Sequence, residues 1–131
     1  MNDENPPRGD GRLASSFRYA FAGIFHVLRT QRNFRIHLGI TALVVVLGIW
    51  LRITALEWGL IAITVAVVLM AEMFNTVAET AIDMATNHYH PLARIAKDVA
   101  AGAVLLAAVI AVIVGLLILG PRALTRLAGR L

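Results

Sequence analysis

Apolar residues run in long stretches along this chain, and the polar positions between them mark out its elements. Phe17, Phe21, Ile24 and Leu28 recur at spacings of 4, 3 and 4 within residues 13–33. That spacing predicts an amphipathic helix with Arg18 and Arg29 off the apolar stripe. Such a helix lies in a membrane interface or packs on the rest of the protein, and the pattern fits both. Residues 36–51 form a first apolar run, which Phe34 and Arg35 extend at the interface. Without them it is short against the ~20 residues that a helix needs to cross the hydrocarbon core. Arg52 and residues 53–57 read as a turn, bracketed by Trp50 and Trp58 as in an aromatic belt. A second helix is predicted over residues 57–86; at about 45 Å it exceeds the ~30 Å core, so its polar end should emerge. Residues 87–91 break it at Pro91, and a third helix starts near residue 92. That helix is purely apolar over 99–119 and should stop at Gly120-Pro121.

The reading is an all-α integral membrane protein with a single domain at 13–120: a surface helix at 13–33 and spans at about 35–51, 57–86 and 92–119. Residues 1–12 are polar and rich in Pro and Gly, and should be a disordered tail. They lack the apolar region of a signal peptide. Residues 121–131 form a basic C-terminal tail.

Composition sharpens this picture. Hydrophobic types make up 59% of the 131 residues and charged types 15%, against about 45–50% and about 25% in soluble domains. Lipid is therefore the expected solvent, and an ordinary water-soluble enzyme is excluded. With no cysteine, thiolate nucleophiles, Cys-ligated metals and disulfides are excluded too. The net charge of +4 needs no nucleic-acid partner, because basic residues beside apolar spans set topology. Arg8, Arg12, Arg18, Arg29, Arg32, Arg35, Arg94 and Lys97 lie on one side, and Arg52, Arg122, Arg126 and Arg130 on the other. That bias places the N-terminus and the 87–98 connection in the cytoplasm, where ATP is found.

Candidate chemistry concentrates in one stretch. Glu72, Asn75, Glu79 and Asp83 are offset by 0, 3, 7 and 11 residues, so at about 100° per residue they share one helix face. Ionisable groups at membrane depth cost on the order of 2.5–3.5 kcal/mol each and persist where they face a bundle interior, a cation or a water-filled cleft. Aligned carboxylates are hard oxygen ligands for Mg²⁺, and a carboxylate there can serve as a general base. A polar stripe that joins helices or lines an ion path fits the same spacing. Lys97, the only lysine, opens the third span beside Asp98 and suits a phosphate, although such a pair also anchors helices at the interface. His88 and His90 read as turn residues or head-group contacts, and His26 and His37 as packing or interfacial residues. There is no Gly-rich phosphate loop, so a nucleotide site would have to come from helix side chains.

The runs A-E-M-F-N-T-V-A-E-T-A-I-D (71–83) and Y-H-P-L-A-R-I-A-K-D-V-A-A-G-A-V (89–104) resemble the prokaryotic diacylglycerol kinase family, which includes the undecaprenol kinases of Gram-positive bacteria. The resemblance covers residues 16–119. N-F-R-I-H (33–37) and H-P-L-A-R-I-A-K-D look closer to the undecaprenol kinase branch. The resemblance implies a homotrimer in the bacterial inner membrane, with active sites shared between subunits. It also implies transfer of the ATP γ-phosphate, with Mg²⁺, to the hydroxyl of undecaprenol or diacylglycerol. Glu72 then matches the catalytic base, and Glu79 a metal-binding carboxylate with Asn75 beside it near the phosphates. Asp83 matches a further acidic position. Lys97 and Asp98 match nucleotide contacts, and Tyr19 a position near the nucleotide. One position departs: a second metal-binding glutamate of the family aligns with Gln31, a neutral and weaker ligand. A non-enzymatic membrane scaffold and an ion-conducting oligomer are the competing readings.

Overall fold

A computed structural model describes residues 11–86 and 88–129. Residues 1–10, most of the expected N-terminal tail, and residues 130–131 lie outside the described residues, as does Asn87. Four helices make up the described chain: α1 (Gly11–Thr30), α2 (Arg32–Leu51), α3 (Ala55–Ala85) and α4 (Pro91–Leu127). The last three are each long and apolar enough to cross a membrane, with mean hydropathy of 2.0, 2.1 and 3.1 over their most apolar windows. Their outward faces carry exposed Leu, Ile and Val, including Leu105, Leu106, Ile113, Leu116 and Leu117. In water such a surface would drive association; in lipid it needs no cover.

The breaks between helices have local causes. Gln31 takes an extended conformation (φ −97°, ψ 113°) at the start of α2. Its N–H still donates to the Val27 carbonyl at 2.8 Å, so a single residue forms the hinge. α1 therefore ends three residues earlier than the expected 33, and α2 begins at Arg32. At the other end of α2, Arg52 adopts the left-handed conformation (φ 53°, ψ 50°). The Arg52 N–H reaches the Ile49 carbonyl and the Ile53 N–H the Gly48 carbonyl, at 3.2 and 3.1 Å. This 5→2 and 6→1 pair is the Schellman closure of a helix. α3 then starts two residues before the expected 57. Thr54 and Glu57 form a reciprocal capping box there, which places Glu57 in the first turn of α3 and not in the preceding turn.

His90 starts α4: its Nδ1 accepts from the Leu92 N–H at 3.2 Å, with Pro91 in the first turn. The expected stop at Gly120-Pro121 is overturned, because α4 continues through Pro121 to Leu127. An internal proline removes a helix hydrogen bond and costs about 3 kcal/mol. Contacts on both sides of Pro121 offset that loss. Ile118 belongs to a buried cluster with Leu51, Ile53 and Ile61, against which Leu119 and Ala123 also pack. The Arg122 guanidinium grips both Glu57 carboxylate oxygens, Nε to Oε1 at 2.9 Å and Nη2 to Oε2 at 2.7 Å. It also reaches the Arg52 carbonyl at 3.3 Å.

The Arg52 turn, the start of α3 and the end of α4 thus meet at one end of the bundle. The α1–α2 hinge and the α3–α4 connection lie at the other. α1 approaches the bundle through its C-terminal half, where Val27 is buried, whereas Phe17 and Phe21 of the expected stripe are exposed.

Candidate functional site

The stripe on α3 begins about 20 Å up the helix from Ala85. Glu72 is 2% exposed, the more deeply buried of the two buried polar residues among those described, the other being Thr76. His37, on the second turn of α2, brings Nε2 to 3.4 Å from Glu72 Oε1. The contact is close enough for ionic attraction but not aligned as a hydrogen bond, and Oε1 has no hydrogen-bond partner. One turn further along α3, the Asn75 amide donates to Glu79 Oε1 at 3.0 Å. That bond commits the nitrogen end of Asn75 and leaves its buried Oδ1 without a partner. Thr76 and Thr80 spend their hydroxyls on carbonyls of α3 itself, at 3.0 and 2.8 Å, and compete for neither acceptor.

Nearer the α3–α4 connection, Lys97 Nζ meets Asp83 Oδ1 at 2.5 Å. Asp98 lies one residue on, 3.8 Å from Arg94 on its own helix, and both of those side chains are largely exposed. Tyr19 is exposed on α1, with the Arg18 guanidinium over its ring and 3.5 Å from its hydroxyl. Gln31 caps α2 through its backbone and makes no side-chain cap bond.

The structure therefore joins Glu72 to His37, Asn75 to Glu79, Asp83 to Lys97 and Asp98 to Arg94. No bond links Tyr19 or Gln31 to the carboxylates among the described residues. Nor, among them, do three His or carboxylate side chains gather closely enough to hold a metal ion. The available donors do fit Mg²⁺ in kind. Asn75 Oδ1 and the Glu79 carboxylate are hard oxygens on one helix turn, and Mg²⁺ takes one or two protein oxygens and completes its shell with phosphates and water.

His37 reads from the sequence as a packing or interfacial residue, and the structure adds a partner that reading did not name, Glu72. The available signal was its position: an ionisable ring inside an apolar run needs a polar partner at the same depth, and Glu72 is the acid deepest in the facing span. His37 also closes one end of an apolar cleft of about 450 Å³ between α2, α3 and α4, lined by Ile40, Val44, Val65, Val68 and Ala111 among others. Thr41 and Thr64 line it too, but donate to the carbonyls of their own helices at His37 and Leu60, so the cleft offers no free hydroxyl donor.

Comparison with known proteins follows the same residues. The sequence profile of the family described as prokaryotic diacylglycerol kinase matches residues 18–119. A diacylglycerol kinase of Synechocystis is 47% identical over 104 residues, covering 79% of this chain and 59% of that protein. The undecaprenol kinase of Bacillus subtilis is 40% identical over 111 residues, covering 85% of this chain and 90% of that one. The diacylglycerol kinase of Escherichia coli is 30% identical over 109 residues, covering 83% and 89%. The profile takes in α2 and α3 entire and most of α1 and α4, with every stripe residue and the Lys97-Asp98 pair, and the chain belongs to the prokaryotic diacylglycerol kinase family, a family of lipid kinases.

Proposed function

We propose that this chain transfers the γ-phosphate of Mg-ATP to the hydroxyl of a membrane lipid, with undecaprenol as the acceptor. The observation that carries the reading is Glu72: a buried carboxylate with an unpartnered oxygen, one turn from the Asn75–Glu79 pair. In the reaction, the Glu72 carboxylate takes the proton of the lipid hydroxyl as that oxygen attacks the γ-phosphorus. The β–γ bridging P–O bond breaks, and ADP leaves. Asn75 Oδ1 and Glu79 would hold Mg²⁺, which when bound neutralises charge on the phosphates. An ammonium has three donors, so Lys97 keeps N–H groups for phosphate oxygens while Asp83 holds it in place. Asp98 and Tyr19 border the nucleotide, and Gln31 stands at the second metal position as a weak ligand.

We further infer a homotrimer whose sites are completed between subunits, since one chain supplies few of the donors that such a site needs. The chain would cross the bacterial inner membrane three times, with α1 at the cytoplasmic surface beside the 87–98 connection. The apolar cleft supports undecaprenol, whose long hydrocarbon tail suits a lining that is mostly aliphatic. N-F-R-I-H and H-P-L-A-R-I-A-K-D point the same way. The identity to the Synechocystis protein favours diacylglycerol as the second reading.

Phosphate transfer from labelled Mg-ATP in detergent micelles, with the two lipids offered separately and in competition, decides between them. Undecaprenol is expected to be labelled preferentially, and Glu72→Gln to abolish labelling. Labelling of diacylglycerol alone overturns the choice of acceptor. No labelling of either, with both dispersed, overturns the kinase reading in favour of a scaffold.

A further inference from the structure

We propose that His37 is a positioning residue for Glu72, holding the base toward a hydroxyl that arrives through the apolar cleft. This rests on the reading of Glu72 as the base. Two separate observations meet at this ring. One edge faces Glu72, with Nε2 at 3.4 Å from an oxygen that has no other partner. The ring also lines the cleft, so it borders both the carboxylate and the apolar space.

The chemistry of the contact selects its form. A carboxylate only accepts, so the nitrogen opposite it must carry a proton to be held there. Nε2–H therefore donates to Oε1 and leaves Oε2 to the substrate hydroxyl. The contact is long and misaligned without substrate, as catalytic hydrogen bonds often are before the reactants are bound, and a small ring rotation would close it. The Thr41 hydroxyl donates to the main-chain carbonyl of His37 at 2.8 Å and so does not compete for the Glu72 carboxylate. With Oε1 engaged, the carboxylate cannot swing about its last torsion, and the proton-accepting oxygen stays aimed along one direction.

Gln and Asn separate this role from simple packing. Gln places an amide nitrogen near the position of Nε2, whereas the shorter Asn reaches only that of Nδ1. His37→Leu and His37→Asn should lower kcat about 10- to 100-fold, the loss expected when one hydrogen bond to a charged group disappears. KM for Mg-ATP should change less than about twofold, since the nucleotide lies at the other end of the stripe. His37→Gln should recover kcat to within about fivefold of the parent. Steady-state kinetics on the full-length protein in micelles, beside Glu72→Gln, tests this. Wild-type kcat in His37→Leu, equal kcat in the Gln and Asn variants, or a loss confined to KM for ATP overturns the role of His37. If His37→Leu fails to fold, the Gln–Asn comparison still decides. Full turnover in Glu72→Gln overturns the base itself, whereas an inactive Glu72→Gln beside a fully active His37→Leu overturns the positioning role alone.

Discussion

Gly48 is where α2 and α3 come closest to forbidding a side chain. A Cβ at that position would stand 2.7 Å from Trp58 Cη2, 2.9 Å from Trp58 Cζ2 and 3.0 Å from Ile53 Cδ1. Carbon pairs are most stable at about 3.5–4.0 Å, so the indole would have to retreat by about 0.8 Å to accept a methyl group. It packs, partly buried, against the cluster of Leu51, Ile53, Ile61 and Ile118, so a retreat disturbs those contacts. Overpacking of this kind costs about 1–3 kcal/mol, and alanine regains about 1 kcal/mol of helix propensity over glycine. Gly48→Ala should therefore be destabilising by about 1 kcal/mol.

Gly39→Ala, on the same helix with open space around it, should instead be stabilising by up to about 1 kcal/mol. Unfolding in mixed micelles of mild detergent and SDS gives both values. Trp58→Phe supplies the decisive control, because a smaller ring vacates the clashing position. The double variant should be more stable than the sum of the single effects by about 1 kcal/mol. Turnover per folded molecule should stay at the parent value, because Gly48 lies about 16 Å along α2 from His37. A stabilised Gly48→Ala, or strict additivity with Trp58→Phe, would refute the packing described for this end of the bundle.

Two further outcomes are expected. Gln31→Glu should be tolerated and lower the Mg²⁺ concentration for half-maximal turnover, since a carboxylate is the stronger ligand; weaker Mg²⁺ dependence would remove Gln31 from the metal's surroundings. Pro121→Ala should raise stability in the same micelle titration by about 1–3 kcal/mol without changing kcat, because it restores a hydrogen bond within a helix already formed; a loss of stability would mean that α4 ends where its proline stands.

The three apolar helices were legible because the composition of a span is decided residue by residue: each must be apolar over some 20 positions whatever its neighbours do. Their ends were not, because ends depend on partners. Gly120-Pro121 is a stop signal in isolation. It is overridden by the Arg122–Glu57 clamp, which spans 65 residues of sequence, and by the Ile118 cluster, which joins α4 to the ends of α2 and α3. Gln31 breaks the chain without any breaker residue, and the polar run around Asn33 drew the expected boundary toward itself. Among the site residues, the stripe was legible from its helical period alone, since all four members lie on α3. The cross-helix partnerships were not. His37 meets Glu72 from α2, and Lys97 meets Asp83 from α4, and nothing in either local pattern encodes the pairing.

That division also separates the carboxylates already paired with a cation of the chain from the acceptors left open. Glu57 has both oxygens on one guanidinium and its backbone cap satisfied; Asp83 has an ammonium, and Asp98 a guanidinium on its own helix. These groups lie toward the two ends of the helices. Between them, at the depth where an unsatisfied polar atom costs most, Glu72 and Asn75 each keep an acceptor without a hydrogen bond. A polar stripe whose task was to join helices would have closed those bonds within the protein, as Thr41, Thr64, Thr76 and Thr80 do with their own helices. On the proposed reading the open bonds close when the reactants arrive: the His37 ring on Glu72 Oε1 as Oε2 takes a hydroxyl proton, and a cation with its phosphates on Asn75 Oδ1. Partial satisfaction is what a phosphotransfer site requires of its resting state, because an acceptor already engaged has nothing left to offer a substrate.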